Sequence, residues 1–305
     1  MVASEFSGVN DQKSLERWVS QMPELKILAD IKPVFVFGKN SANITPEVWT
    51  ALAQQIQKRA KNHAGFVVFH GADNIEYTSS SLSFLLQGIR APVVFTGHQN
   101  FKDQNDEQGL RSNLINAVQV ATFPFAEVAL LFGSRLLRAN QAVRVDDESL
   151  NLFTAPPSAI LGRIDFSIRL FEKNLWRSKI KPGKPKPIEP EHALGLLKVG
   201  PLLGKAELQQ SFEGKAAVIL AAQQAHELPD TLERFLRQTD EHLPVVVHSR
   251  YIQPGTLTPE NIIVVSNMTW PAAVTKLIWV LGQTRSVRQV RELMHKNLAG
   301  EIQTD

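Results

Sequence analysis

Short apolar runs and helical stripes alternate through the first half of the chain. Pro33–Phe37 (PVFVF), Gly65–Phe69 (GFVVF), Pro92–Phe95 (PVVF) and Val128–Phe132 (VALLF) are rich in β-branched and aromatic residues and are predicted as strands. Between the first two, Thr45 suits a helix cap and Pro46 the first helical position. Val48, Leu52 and Ile56 then recur every four residues, giving that helix an apolar stripe. A second helix is predicted through Ser79–Gln87. A third has Leu110, Leu114, Ala117, Val118 and Ala121 on one face. Strand–helix–strand units of this spacing predict an α/β fold, with a mostly parallel sheet covered by helices on both faces.

The pattern stops near Trp176. Pro182, Pro185, Pro187 and Pro190 follow within nine residues, a density that blocks helix and sheet alike. Residues 177–211 are therefore expected to link a larger domain, 1–176, to a smaller α/β domain, 212–305. In the second domain Ala216–Leu220, Pro244–Val247 and Ile262–Val265 read as strands. Pro271–Leu281 reads as a helix. A last helix is expected to carry Val287, Val290, Leu293, Met294 and Leu298.

Composition narrows the chemistry. The 305 residues are 43% hydrophobic and 21% charged, with a formal net charge of +3. That charge is too small to argue for nucleic acid unless it clusters, and the densest basic stretch, Arg177–Lys186, is the proline-rich linker. The chain has no cysteine, which excludes disulfides, thiolate nucleophiles and Cys-ligated zinc. No signal peptide and no run of 18 apolar residues is present, so no membrane association is expected. Neither G-x-G-x-x-G nor a P-loop occurs, and no metal or cofactor is expected.

Two strand ends carry candidate chemistry. His70-Gly71-Ala72-Asp73 follows GFVVF, and Thr96-Gly97-His98-Gln99 follows PVVF. Open parallel sheets bind ligands at the carboxyl ends of their strands, so both loops point to a small-molecule pocket. Asp73 could hold an amine or cap the next helix. His70 could be a base or a structural histidine. Thr78 and Ser79 read as a helix start.

These segments resemble the L-asparaginases, and the cytoplasmic bacterial type I branch in particular. The family's His-Gly-Thr-Asp-Thr and Met-Glu-Tyr-Thr-Ala signature lies on His70–Ser79, and its PVVLTGSQ segment on Pro92–Gln99. Its Asn-Leu helix start lies on Leu110-Arg111-Ser112-Asn113-Leu114, and its Leu-Arg-Gly-Asn-Arg element on Leu137–Gln141 (LRANQ). Its Asp-Met-Thr-x-Glu-Ala-Ala-x-x-Lys-Leu lies on Asn267–Leu277 (NMTWPAAVTKL), and its Asn-Leu-x-Gly-Glu on Asn297–Glu301. The match spans nearly the whole chain.

The resemblance implies an amidohydrolase in which a threonine of a Thr-Gly-Gly-Thr loop attacks the side-chain amide of asparagine. A second threonine, an aspartate and a lysine support it. This sequence departs from that set. It contains no Thr-Gly-Gly-Thr, and it begins where the family is already past that loop and its strand. Ala72 stands at the second threonine and Arg144 at the lysine; Asp73 is retained. Ser41, Gly71 and Asp73 fall on substrate-binding positions, whereas Ala42 replaces a polar neighbour. The family's Gly-x-Gly-Asn-x-Pro loop has become Ala222–Pro229 (AQQAHELP), and its Ser-Gln segment Ser249-Arg250.

The expectation is an inactive or repurposed asparaginase-like protein that binds a small amino acid such as aspartate or asparagine. Two alternatives stay open. One is a working asparaginase/glutaminase, with its nucleophile encoded upstream or replaced by Ser79 or Thr96. The other is an amidotransferase-related subunit. The resemblance further implies a cytoplasmic homodimer or homotetramer.

Overall fold

A computed structural model describes Met1 and residues 9–98, 107–145, 151–178, 180, 194–223, 228–253, 257 and 259–303. The chain divides into two compact units, Met1–Lys186 with Leu298–Gln303, and Pro187–Asn297 with Thr304–Asp305.

In the first unit the elements run α1 (Gln12–Ser20), α2 (Pro23–Leu28), α3 (Pro46–Arg59), β1 (Phe66–Phe69), α4 (Ile75–Leu85), β2 (Val93–Thr96) and α5 (Glu107–Val120). There follow β3 (Val128–Phe132), β4 (Arg135–Arg138), β5 (Val143–Arg144), β6 (Phe153–Thr154), β7 (Ile160–Ile164) and β8 (Ile168–Leu170). Six strands form one sheet in the order β1-β2-β3-β4-β7-β8, and β5 pairs with β6 alone. β1, β2 and β3 are parallel, as the sequence predicts. From β3 onward every pairing is antiparallel. The reversal is the tight β3–β4 connection, Gly133-Ser134, where Gly133 takes φ 61° as a two-residue hairpin turn requires.

Side-chain alternation splits the sheet's two faces. Val94, Ala129 and Leu131 pack against Ala117, Val120 and Ala121 of α5. Val93, Phe95 and Leu130 are left for the other face, where α4 lies on β3 and α3 on α4.

Three local expectations need correction. PVFVF does not join the sheet; only Phe35 makes an isolated bridge. The Gln12 carboxamide takes the backbone groups a neighbouring strand would use, accepting from Phe35 N–H at 2.9 Å and donating to Pro33 C=O at 3.1 Å. Thr45 precedes α3 as expected, but its hydroxyl makes no cap bond. The last helix ends at His295, and Leu298 lies beyond it in a turn held by Glu301, whose carboxylate accepts from Leu298 and Ala299 N–H.

The second unit holds β9 (Leu194–Lys198), α6 (Lys205–Phe212), β10 (Ala217–Ala221), α7 (Asp230–Leu236), β11 (Val245–His248), β12 (Ile262–Val265), α8 (Trp270–Leu281) and α9 (Val287–His295). Its sheet, β12-β11-β10-β9, is parallel throughout. Val218, Leu220, Val245, Val247, Leu232 and Leu236 are part of its core. β9, and α6 up to its last residue, fall inside the 177–211 span read as linker. β9 is hard to see in sequence because its apolar residues are leucines and Leu196 is 56% exposed at the sheet edge. The four clustered prolines lie outside the described residues. Lys276, fully buried in α8, donates to the carbonyls of Met294 and Lys296 at 2.9 and 2.7 Å and so closes the carboxyl end of α9.

Candidate functional site

The carboxyl ends of β1 and β2 lie side by side, with Phe69 opposite Thr96. Their loops approach so closely that a Cβ on Gly97 would stand 2.2 Å from the His70 carbonyl oxygen. Only glycine fits there.

His70 is fully buried and serves the frame. Its Nδ1 stands 2.6 Å from the Gly71 carbonyl, which can only accept, so Nδ1 carries the proton. Nε2 is then the acceptor, 2.9 Å from Thr78 Oγ1. Thr78 Oγ1 accepts from the Trp49 indole N–H at 3.1 Å, and its single proton is shared between His70 Nε2 and the Asn74 carbonyl, 3.1 Å away. Burial holds His70 neutral, its pKa lowered to about 4, against the weaker opposing effect of the Gly71 hydrogen bond.

Thr96 and Ser79 are also sealed, each 0% exposed. The Thr96 hydroxyl donates to the Leu131 carbonyl at 2.9 Å. Ser79 Oγ is buried and has no hydrogen-bond partner among the described residues. Neither hydroxyl is open to a substrate.

Ala72 and Arg144, the two positions expected from the resemblance to be substituted, meet in space. Arg144 Nη2 donates to the Ala72 carbonyl at 2.8 Å, and its Nε stands 3.9 Å from Glu76 Oε1. The guanidinium also lies over the Phe153 ring, 5.9 Å from its centroid, in the β5–β6 ribbon that carries Arg144. Glu76, in the first turn of α4, has its carboxyl pKa raised. Burial is the largest cause; its own backbone N–H and Arg144 oppose it, and Asp73 adds to it.

Asp73 is exposed, and among the described residues no hydrogen bond or ion pair engages its side chain. Next to it Asn74 begins α4 in the left-handed region, φ 58°. That turn aims the Asn74 carboxamide at the carbonyls of Ser41 and Ala42, 3.4 and 3.3 Å away. Ser41, in the 3-10 turn Ser41–Asn43, is 4% exposed and so lies beneath the surface on which Asp73 stands. Gly71 is half-buried between His70 and Ala72. The structure therefore gathers Ser41, Gly71, Ala72, Asp73 and Arg144 at one end of the sheet and keeps His70 and Thr96 beneath them. Gln99 and residues 224–227 lie outside the described residues.

Sequence reasoning passed over Glu76 and read Thr78 and Ser79 as a helix start, whereas α4 begins at Ile75 and both lie within it. The signal for Glu76 was a second acid three residues after Asp73 at a helix start, which folds both toward one site.

The Asparaginase, N-terminal family model matches residues 1–176. The chain is 28% identical over 328 residues to L-asparaginase 1 of Escherichia coli K12, spanning 100% of this chain and 95% of that protein. It is also 28% identical over 282 residues to the L-asparaginase of Dirofilaria immitis. There it covers 86% of itself but 47% of the relative's length. The structure of the thermostable L-asparaginase from Thermococcus kodakarensis superposes with a TM-score of 0.79 at 22% identity, covering 100% and 99% of the two chains, a likeness of fold. The chain belongs to the asparaginase family.

Among the described residues no helix is long and apolar enough to cross a membrane, and no three His, Asp or Glu side chains gather as a metal site.

Proposed function

We propose that this asparaginase-family protein holds a small amino acid, such as aspartate or asparagine, without hydrolysing a side-chain amide. The contact between Ala72 and Arg144 carries the reading. Ala72 offers no hydroxyl to attack or relay a proton. Arg144 stays protonated up to about pH 12 or beyond, so it cannot take the proton that a nucleophile must lose. The buried hydroxyls of Ser79 and Thr96 offer no substitute. What stays exposed is a pair of opposite charges suited to a zwitterion: Asp73 for an ammonium and Arg144 for a carboxylate. A cytoplasmic homodimer or homotetramer is part of the same reading, carried by the resemblance.

The test is ammonia release from L-asparagine and L-glutamine, alongside calorimetric titration with L-aspartate. No turnover is expected, nor any from the Ala72→Thr, Arg144→Lys double variant, since the sequence contains no Thr-Gly-Gly-Thr. Aspartate binding should be lost in Asp73→Asn. Turnover near about 1 s⁻¹, the low end for ordinary enzymes, would overturn the proposal.

A further inference from the structure

A helix start carries positive partial charge from its unpaired N–H groups, and acidic residues or a capping side chain ordinarily settle there. α9 lacks both. It has no acidic residue in its first turn, and Ser286, at its N-cap position, makes no cap bond. The N–H groups of Val287, Arg288 and Gln289 have no partner among the described residues. Two cations are added instead: Arg285 directly before the helix and Arg288 in its first turn, both exposed. Positive charge thus stands where negative charge is favoured.

This helix start lines a cavity of about 900 Å³ at the amino ends of β11 and β12. Arg285, Ser286, Arg288 and Arg291 line one side, and Leu257, Pro259 and Val287 supply apolar surface. Arg291 Nη2 donates to the carbonyls of Glu260 and Ile262, which fixes α9 beside the entry to β12. Arg288 Nε donates to Glu292 Oε1 at 3.2 Å, which leaves its Nη groups. The two side chains are 88% and 62% exposed, so water screens their pair. The carboxylates on the rim are Glu241, beside His242, and Glu260, both exposed. Asn261 also lines the cavity and is 1% exposed. Its Nδ2 donates to the carbonyls of Asp240 and Leu243 at 3.1 and 3.0 Å. Its Oδ1 is buried and has no partner among the described residues, so a donor is wanting there.

We propose that this cavity binds a phosphomonoester of mononucleotide size, with its phosphate at the start of α9. The phosphate accepts from the N–H groups of Val287, Arg288 and Gln289, from the Ser286 hydroxyl, and from Arg285 and Arg288. It supplies the charge that the helix start lacks, and each guanidinium fork matches a pair of its oxygens. The other end of the ligand carries an N–H or O–H donor for Asn261 Oδ1 and an apolar body against Leu257, Pro259 and Val287. The volume falls in the range of about 300–1,000 Å³ usual for small-molecule sites and is far too large for a free phosphate alone. The three arginines exceed the two rim carboxylates by one charge, so a single phosphate matches better than a chain of them. A nucleoside 5′-monophosphate with an amino-bearing base meets all these demands. The cavity lies wholly in the second unit, so the proposal is independent of what the strand-end site of the first unit does.

Calorimetric titration of the whole chain with adenosine 5′-monophosphate tests it. Saturable binding is expected with Kd between about 10 µM and 1 mM. Adenosine lacks the phosphate, and purine riboside 5′-monophosphate lacks the amine. Each should bind at least about tenfold more weakly, the effect of about 1.4 kcal/mol. The Arg285→Gln, Arg288→Gln double variant changes two exposed side chains and should weaken the monophosphate at least as much. Arg169→Gln, an exposed arginine of the first unit, should leave it unchanged. In the complex the amides of Val287, Arg288 and Gln289 should gain protection from hydrogen exchange, a readout that needs no variant to fold. Either analogue binding as tightly as the monophosphate, unweakened binding in the double variant, or unprotected α9 amides would overturn the proposal. So would inorganic phosphate matching the nucleotide, because the rest of the cavity would then contribute nothing.

Discussion

Replacing Thr78 with valine keeps the shape of the side chain and removes one hydroxyl. That hydroxyl lies between the Trp49 indole N–H, 3.1 Å away, and His70 Nε2, 2.9 Å away, and Thr78 itself is 0% exposed. Both neighbours would be left unpaired in the interior, where water does not reach them. An orphaned buried polar group costs about 1–3 kcal/mol, so two orphans with partial relaxation cost about 3 kcal/mol. Valine leaves no cavity, so the loss is the hydroxyl's alone. Serine keeps the hydroxyl and loses one methyl, which costs about 1 kcal/mol. Urea unfolding followed by tryptophan fluorescence and by far-ultraviolet circular dichroism compares the three proteins. The expected order is Thr78, then Ser, then Val, with the larger gap between the last two. A valine variant within about 1 kcal/mol of the parent, or a serine variant as weak as valine, would refute the assignment of the proton chain from Trp49 through Thr78 to His70.

Stability should also respond to acid through His70. Its folded pKa is depressed to about 4 from 6.5. As pH falls below about 6.5 the unfolded chain therefore binds a proton that the folded chain refuses. The histidine's contribution is intact above about pH 6.5 and shrinks by about 1.4 kcal/mol per pH unit down to about pH 4. Urea midpoints across this range should fall more steeply for the parent than for His70→Gln; parallel slopes would contradict the buried neutral imidazole. Arg138 and Glu127 form a buried pair at 2.8 Å. Arg138→Met should cost about 3–5 kcal/mol by stranding the carboxylate, and adding Glu127→Leu should recover most of it in the same unfolding assay. Light scattering should give a mass near 68 kDa, twice the 34.0 kDa chain, down to low micromolar concentration; a monodisperse species near 34 kDa would dispose of the proposed dimer.

Much of this protein follows from local pattern. GFVVF, PVVF and VALLF become β1, β2 and β3, because short runs of apolar residues can only be buried on both faces of a sheet. The α/β class follows from the same spacing. The polar, glycine-bearing loops after β1 and β2 fall at one end of the sheet, since parallel strands share a direction. The resemblance also offers Ala72 and Arg144, from sequence, as the positions expected to hold the family's threonine and lysine. Tertiary structure decided what depends on partners distant in the chain. PVFVF had the composition of a strand, yet Gln12, twenty-three residues upstream of Phe35, claims its backbone groups. His70 looked like either a base or a structural residue; only burial and the Thr78 hydroxyl, held in place by Trp49, fix it as the latter. Arg144 and Ala72 are seventy-two residues apart and meet because β5 and β6 form a ribbon that lays the guanidinium against the strand-end loop.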